Sequence, residues 1–203
     1  DRDVVELICE ELYFEPVWET STLDVDVAPL KKPADKSSLP RRPLIATIMG
    51  HVDHGKTTLL DALRNTNVAA SEPGGITQHV SIFQTKLRNS GETVTFMDTP
   101  GHAAFASIRE RSTNITDIAC LVVAADDGVQ EQTLEAIDYI QKRSVPHIVL
   151  ITKIDKAGAD TDAVCLQLLQ HNVALERFGG TVPLVEVSAK TRQNFDRLED
   201  AIL

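Results

Sequence analysis

The chain has 203 residues, 20 basic and 30 acidic, for a formal net charge of −10. That length buries one good core with at most a small appendage, and the acidic balance argues against broad nucleic-acid or membrane binding by this piece. Cys9, Cys120 and Cys165 lie far apart without a CxxC pair, which disfavours disulfides and points to a reducing compartment. The longest apolar run, around Ile118 to Ala125, is too short to cross a bilayer. The first residues, Asp1-Arg2-Asp3, lack the basic start of a signal peptide, and the missing initiator Met leads us to expect a fragment of a longer protein.

Residues 1–40 read as an arm or linker. Val4, Val5, Leu7, Ile8, Leu12 and Tyr13 space as one helical stripe that Pro16 ends. A polar stretch follows from Glu19 to Lys36, and Lys31-Lys32-Pro33 and Ser37-Ser38-Leu39-Pro40 are linker-like. A domain is expected over 41–203. Within it, short continuous apolar runs at Leu44–Met49, Ile118–Ala125, His147–Ile151 and Val182–Val187 suit strands buried on both faces. Helical periods fall between them at Thr57–Arg64, Ala103–Ser112, Gln130–Lys142 and Thr161–Leu175, with another after Gln193. Val80–Arg88 and Glu92–Met97, joined by Asn89-Ser90-Gly91, suit a hairpin. The fold class is therefore α/β, a mostly parallel six-stranded sheet with one antiparallel edge strand and helices on both faces.

Gly50-His51-Val52-Asp53-His54-Gly55-Lys56-Thr57 matches GxxxxGK[ST] between an expected strand and an expected helix, the context this phosphate loop requires. Glycines at both ends let the backbone wrap phosphate oxygens, with successive N–H groups and the positive end of the next helix pointing inward. Lys56 can reach β- and γ-phosphates, and the Thr57 hydroxyl can ligate Mg²⁺. The loop alone does not separate ATP from GTP. Asp98-Thr99-Pro100-Gly101 ends another strand. Its carboxylate suits a water-held Mg²⁺ contact, and the Gly101 N–H can approach a γ-phosphate.

Thr152-Lys153-Ile154-Asp155 ends the strand over His147–Ile151. Asp155 can accept from N1–H and the 2-amino group of guanine, a donor pair that adenine lacks. Lys153 can lay its stem along the purine. Ser188-Ala189-Lys190, at the last strand end, can close over the base edge. All these groups fall at carboxyl ends of strands, where doubly wound sheets place their ligand crevice. His51, His54, His79 and His102 lack the spacing of a zinc site, and no Cys joins them.

Together, GHVDHGKT at Gly50–Thr57, GGITQ at Gly74–Gln78 and DTPGH at Asp98–His102 resemble the translational GTPases, which share the P-loop GTPase fold. The longer phrases Ile48–Asp61 (with Thr58), Glu72–His79, Asp98–Phe105 and Val122–Val129 resemble bacterial and organellar translation initiation factor two, from Arg41 to the end. The resemblance implies GTP and GDP as ligands with Mg²⁺, and Thr77 as a Mg²⁺-binding residue of a first switch. Asp98 and Gly101 would form the second switch. His102 would orient the attacking water on the large-subunit GTPase centre of the ribosome, flanked by Val52 and Ile76, and Asp53 would help place a monovalent cation. Initiator tRNA would be bound by domains outside this chain, no membrane would be involved, and the isolated domain is expected to be a slowly hydrolysing monomer. The guanine motif usually begins with Asn; Thr152 stands there, and weaker GTP binding is expected. Thr152 and the Arg109–Thr116 stretch look less bacterial, so the mitochondrial matrix is expected ahead of a bacterial cytoplasm. An elongation-factor-type GTPase, or a nucleotide switch without turnover, remains the alternative.

Overall fold

Ile45, Thr47 and Ile48 put β-branched side chains into an apolar run, and Leu44–Gly50 forms strand β1, with Ala46 to Met49 sealed from solvent on both faces. The computed structural model describes residues 41–64, 81–99 and 115–203. The stripe expected over Val4–Tyr13, the helix expected over Ala103–Ser112, and Thr77, Gly101 and His102 lie outside these residues. After β1 come α1 (Lys56–Arg64), β2 (Ser81–Lys86), β3 (Thr93–Asp98) and β4 (Ile118–Ala124). Then follow α2 (Glu131–Arg143), β5 (His147–Thr152), α3 (Thr161–Gln170), a 3₁₀ turn (Glu176–Phe178), β6 (Leu184–Glu186) and α4 (Phe195–Ile202).

Among the described residues the strands form one sheet in the order β2-β3-β1-β4-β5-β6. β2 runs antiparallel to β3, with Ser81 opposite Asp98 and Lys86 opposite Thr93, and the other pairings are parallel. The expected mixed sheet is therefore present. β2 alternates half-buried and exposed positions, as an edge strand with one wet face does. Its Phe83 stacks on the buried Phe96 of β3 with ring centroids 5.6 Å apart.

The two faces carry separate cores. α2 and α3 cover Leu121, Val123, Val149 and Ile151 on one side. On the other, α1 and α4 cover Ile48, Phe96, Val122 and Leu150. The last helix is tied to the β2–β3 turn by Glu199, a buried carboxylate that accepts from the Arg88 and Asn89 N–H groups at 2.6 and 3.0 Å. At the start of Arg42–Leu203, which forms one compact unit, Arg42 forks onto Asp117 at 2.5 and 2.8 Å. Asp117 also accepts from the Ile45 N–H at 2.9 Å, which aligns the start of β1 with that of β4.

Two elements are shorter than their apolar pattern suggests. The helix expected to Leu175 stops at Gln170. Asn172 turns the chain with φ +61°, and Val173 and Leu175 are buried from an extended stretch instead. Leu175 then bridges Val182, so the strand expected from Val182 begins only at Leu184. Hydrophobic spacing records which residues are buried, and a turn can bury them as well as a helix does.

Candidate functional site

β1 delivers the phosphate loop at its carboxyl end. This is the point where the strand order reverses, because β3 lies on one side of β1 and β4 on the other. Gly50 is required there: its φ is +145°, and a Cβ would sit 2.3 Å from the Val122 carbonyl oxygen. The loop is folded over itself. Lys56, only 6% exposed, donates from Nζ to the His51 carbonyl at 2.6 Å, and Asp53 turns the chain with φ +62°.

Neighbouring elements hold this loop in several places. The Val52 N–H donates to Gln132 Oε1 at 2.9 Å. His54, 1% exposed, places Nε2 2.9 Å from Asp127 Oδ2 and Nδ1 3.4 Å from the Val122 carbonyl. Burial pulls the His54 pKa below its ordinary value, against the opposing pull of Asp127. The ring is therefore neutral at pH 7, with its proton best placed on Nε2 towards the carboxylate. Thr152, at the end of β5, donates its hydroxyl to the His54 carbonyl at 2.6 Å.

Asp98 arrives at the end of β3, next to β1. Thr57 Oγ1 donates to Asp98 Oδ2 at 3.3 Å, and both sit beside the loop. The following residue, Thr99, is buried and donates to the Ile48 carbonyl at 2.8 Å, fixing where the chain leaves the strand. A hydroxyl and a carboxylate are hard oxygen donors, the set from which Mg²⁺ takes one or two ligands beside phosphate oxygens. Among the described residues no cluster of three or more His, Cys, Asp or Glu side chains could hold a metal by itself. The expected pair Thr57 and Asp98 therefore suits Mg²⁺ held jointly with a nucleotide.

Beyond the loop lies a cavity of about 180 Å³. Its lining includes Gly55 and Thr58, Thr152 at the end of β5, Lys153, Asp155 and Lys156 after it, and Ala189 and Lys190 after β6. Three sequence-expected segments thus share one cavity. Lys153 adopts φ +60°, which turns the chain so that Asp155 follows at the rim. Ser188, fully buried, donates to Asp155 Oδ1 at 2.6 Å, and its oxygen accepts from the Thr191 N–H at 3.1 Å. The Ser188 bond holds the Asp155 carboxyl below its usual range, so it stands ionised and aimed.

Sequence reasoning missed four contributors: Asp126, Asp127, Gln132 and Lys156. Asp126 pairs with Lys156 at 2.8 Å and with Lys153 at 3.7 Å, tying the turn after β4 to the loop after β5. The Lys156 contact lowers the Asp126 pKa. A larger groove of about 490 Å³ runs along β6 between Glu176, Arg177, Glu186 and Arg197. Within it Arg177 pairs with Glu186 and, outside the groove, with Asp162, and Glu176 accepts from the Leu184 N–H. Among the described residues no helix is long and apolar enough to cross a membrane.

Residues 41–203 match the family model described as elongation factor Tu GTP binding domain. A translation initiation factor IF-2 from Caulobacter vibrioides is 51% identical over 203 residues, covering all of this chain and 20% of the relative. The IF-2 of Leuconostoc citreum is 48% identical over 205 residues, covering all of this chain and 24% of its own length. Both alignments include residues 1–40, where the sequence carried no recognised motif. The chain thus spans between a fifth and a quarter of these relatives' length. Both are bacterial and lend no support to the mitochondrial expectation. Among solved structures, the elongation factor SelB of Methanococcus maripaludis bound to the GTP analogue GppNHp superposes with a TM-score of 0.63 at 28% identity, over 81% of this chain and 34% of that one. A bacterial selenocysteine-specific elongation factor, EF-Sec, shares the fold with a TM-score of 0.65 at 24% identity, over 80% of this chain and 28% of its own. The chain belongs to the elongation factor Tu GTP-binding domain family, the G domain of the translational GTPases.

Proposed function

We propose that this chain is the GTP-hydrolysing switch of a translation initiation factor. One observation carries the reading: Asp155, held by Ser188 at 2.6 Å, shares a cavity with the phosphate loop through Gly55 and Thr58. An ionised carboxylate there accepts from N1–H and the 2-amino group of guanine and is left unpaired by adenine. Lys153 lies along the base, with Ala189 and Lys190 at its edge. N–H groups of the loop from Asp53 to Thr58 and the Lys56 ammonium take the phosphates. Thr57, Asp98 and Thr77 would hold Mg²⁺, which would supply positive charge to the β- and γ-phosphates.

In this reading His102 orients a water for in-line attack on the γ-phosphorus, releasing GDP and phosphate, with Val52 and Ile76 beside it and Asp53 near a monovalent cation. Gly101 and Thr77 contact the γ-phosphate side, so its loss releases both segments. The partner is the GTPase centre of the large ribosomal subunit. Initiator tRNA is bound by parts of the protein outside this chain, and the domain alone is a monomer. Bacterial relatives make a bacterial cytoplasm the setting we propose, in place of the mitochondrial matrix.

Titration of the chain with labelled GDP, GTP and ATP in Mg²⁺ buffer tests the reading. Saturable binding of both guanine nucleotides with ATP excluded is expected. ATP binding as tight as GTP, or no binding of either guanine nucleotide, would overturn it.

A further inference from the structure

The stretch 126–132 touches both the base-reading segment after β5 and the phosphate loop. Asp126 holds Lys153 and Lys156 of the base-reading segment. Asp127 holds the buried ring of His54, and Gln132 takes the Val52 N–H. The stretch is itself fixed from behind: α3 extends Gln167, whose Oε1 accepts from the Val129 N–H at 2.8 Å. Gly128, at φ +78°, leaves room for that amide, since a Cβ would lie 2.6 Å from the same oxygen.

Gln132 is the member whose role is least local. It sits half-buried in the first turn of α2, where glutamine ordinarily faces water. The Gln130 carbonyl already accepts from the Thr133 and Leu134 N–H groups. Instead of serving its own helix, the Gln132 side chain crosses to a residue 80 positions earlier. Val52 precedes Asp53, whose left-handed conformation begins the phosphate cradle. A backbone N–H at that point needs an acceptor, and a loop that finds it elsewhere changes the direction of the next peptide group.

Building on the nucleotide reading above, we infer that Gln132 is a positioning residue for the phosphates. Its side-chain carbonyl fixes the Val52 peptide so that the following N–H groups stay aimed at the nucleotide, and its loss speeds release of GDP without disturbing base recognition. The stretch 126–132 thereby makes α2 and α3 a lever on the phosphate loop.

The test compares the 203-residue chain with Gln132→Met, which keeps the length of the side chain and deletes the acceptor. Two readouts are taken: the GDP dissociation rate and the displacement of labelled GDP by guanosine, which has no phosphate. Loss of one such hydrogen bond corresponds to GDP release roughly three- to tenfold faster, with the guanosine inhibition constant unchanged. Gln132→Ala serves the same comparison should Met distort the helix. Unchanged GDP release overturns the inference, and so does equal weakening of GDP and guanosine, which marks general loosening. A wild-type chain that binds no guanine nucleotide sinks the site reading itself, a result separate from either of these.

Discussion

The hydroxyl of Thr152 lies 2.6 Å from the carbonyl oxygen of His54, so the strand that leads to the base reader also braces the phosphate loop. Thr152 is 2% exposed, and its second contact, 3.4 Å from the Val123 carbonyl, points back into the sheet. The short side chain keeps the brace and commits its only donor to it, which leaves no hydroxyl proton for the base.

Two substitutions separate these effects. Thr152→Val removes the brace while keeping the shape. It should weaken GDP binding and lower stability by about 1–3 kcal/mol, the range for a buried acceptor left unpaired, read by urea unfolding. Thr152→Asn adds reach and a second polar group, and should bind GTP more tightly than the native chain. Affinity in Thr152→Asn equal to that of the native chain would contradict the expectation of a weakened site.

Asp155 should decide the base. Replacing it by Asn exchanges a double acceptor for one donor and one acceptor, which matches the N1–H and C2 carbonyl of xanthine. Asp155→Asn should therefore lose GDP and gain xanthosine diphosphate in competition binding. Ser188→Ala, which frees Asp155 of its 2.6 Å contact, should weaken GDP more modestly without changing the order of preference. Retained GDP preference in Asp155→Asn would remove Asp155 from the base-reading role.

His54 gives a pH dependence with a definite sign. Burial lowers its folded-state pKa below the 6.5 of the free side chain, so the unfolded chain takes up the proton first. Stability then rises with pH through this window. It is complete above about pH 6.5 and falls as the pH drops towards the lowered value. Asp117, Asp126 and Asp155 are also shifted down, from 3.8, by their hydrogen-bond partners, so their contributions persist throughout this window and fade only in stronger acid. Urea midpoints measured between pH 7.5 and 5 should fall for the native chain and stay flatter for His54→Gln. Parallel slopes would show that another group titrates there.

His102 should act on turnover alone. Changing it to Ala is expected to cut ribosome-stimulated hydrolysis by two or more orders of magnitude, in line with about 10²–10⁴-fold for a positioned proton-handling group, while GTP binding stays nearly intact. Single-turnover hydrolysis with and without ribosomes reads this directly. Loss of binding in the variant would assign His102 to the nucleotide pocket instead.

Much of this molecule can be read along the chain. Gly50–Thr57 specifies its loop because each residue type has a local reason, from glycine at φ +145° to a lysine reaching back over the turn. The continuous apolar runs at Leu44–Met49 and His147–Ile151 identify buried parallel strands, since only a strand covered on both faces omits polar alternation. Asp98, Asp155 and Ser188 are legible because strand ends recur at predictable places.

What the sequence determines by itself, among the described residues, is therefore most of the strands and helices, the phosphate loop and the identity of the groups at the strand ends, all of which depend on periodicity or on neighbours a few residues away. Only the tertiary structure decides how those groups are held. Gln132 meets Val52 across 80 residues, Asp127 meets His54 across 73, and Thr152 meets His54 across 98. Parallel strands bring their carboxyl ends together only after the intervening helices have folded back. A glutamine in a helix's first turn or a threonine after a strand carries no local mark of the partner it will find there.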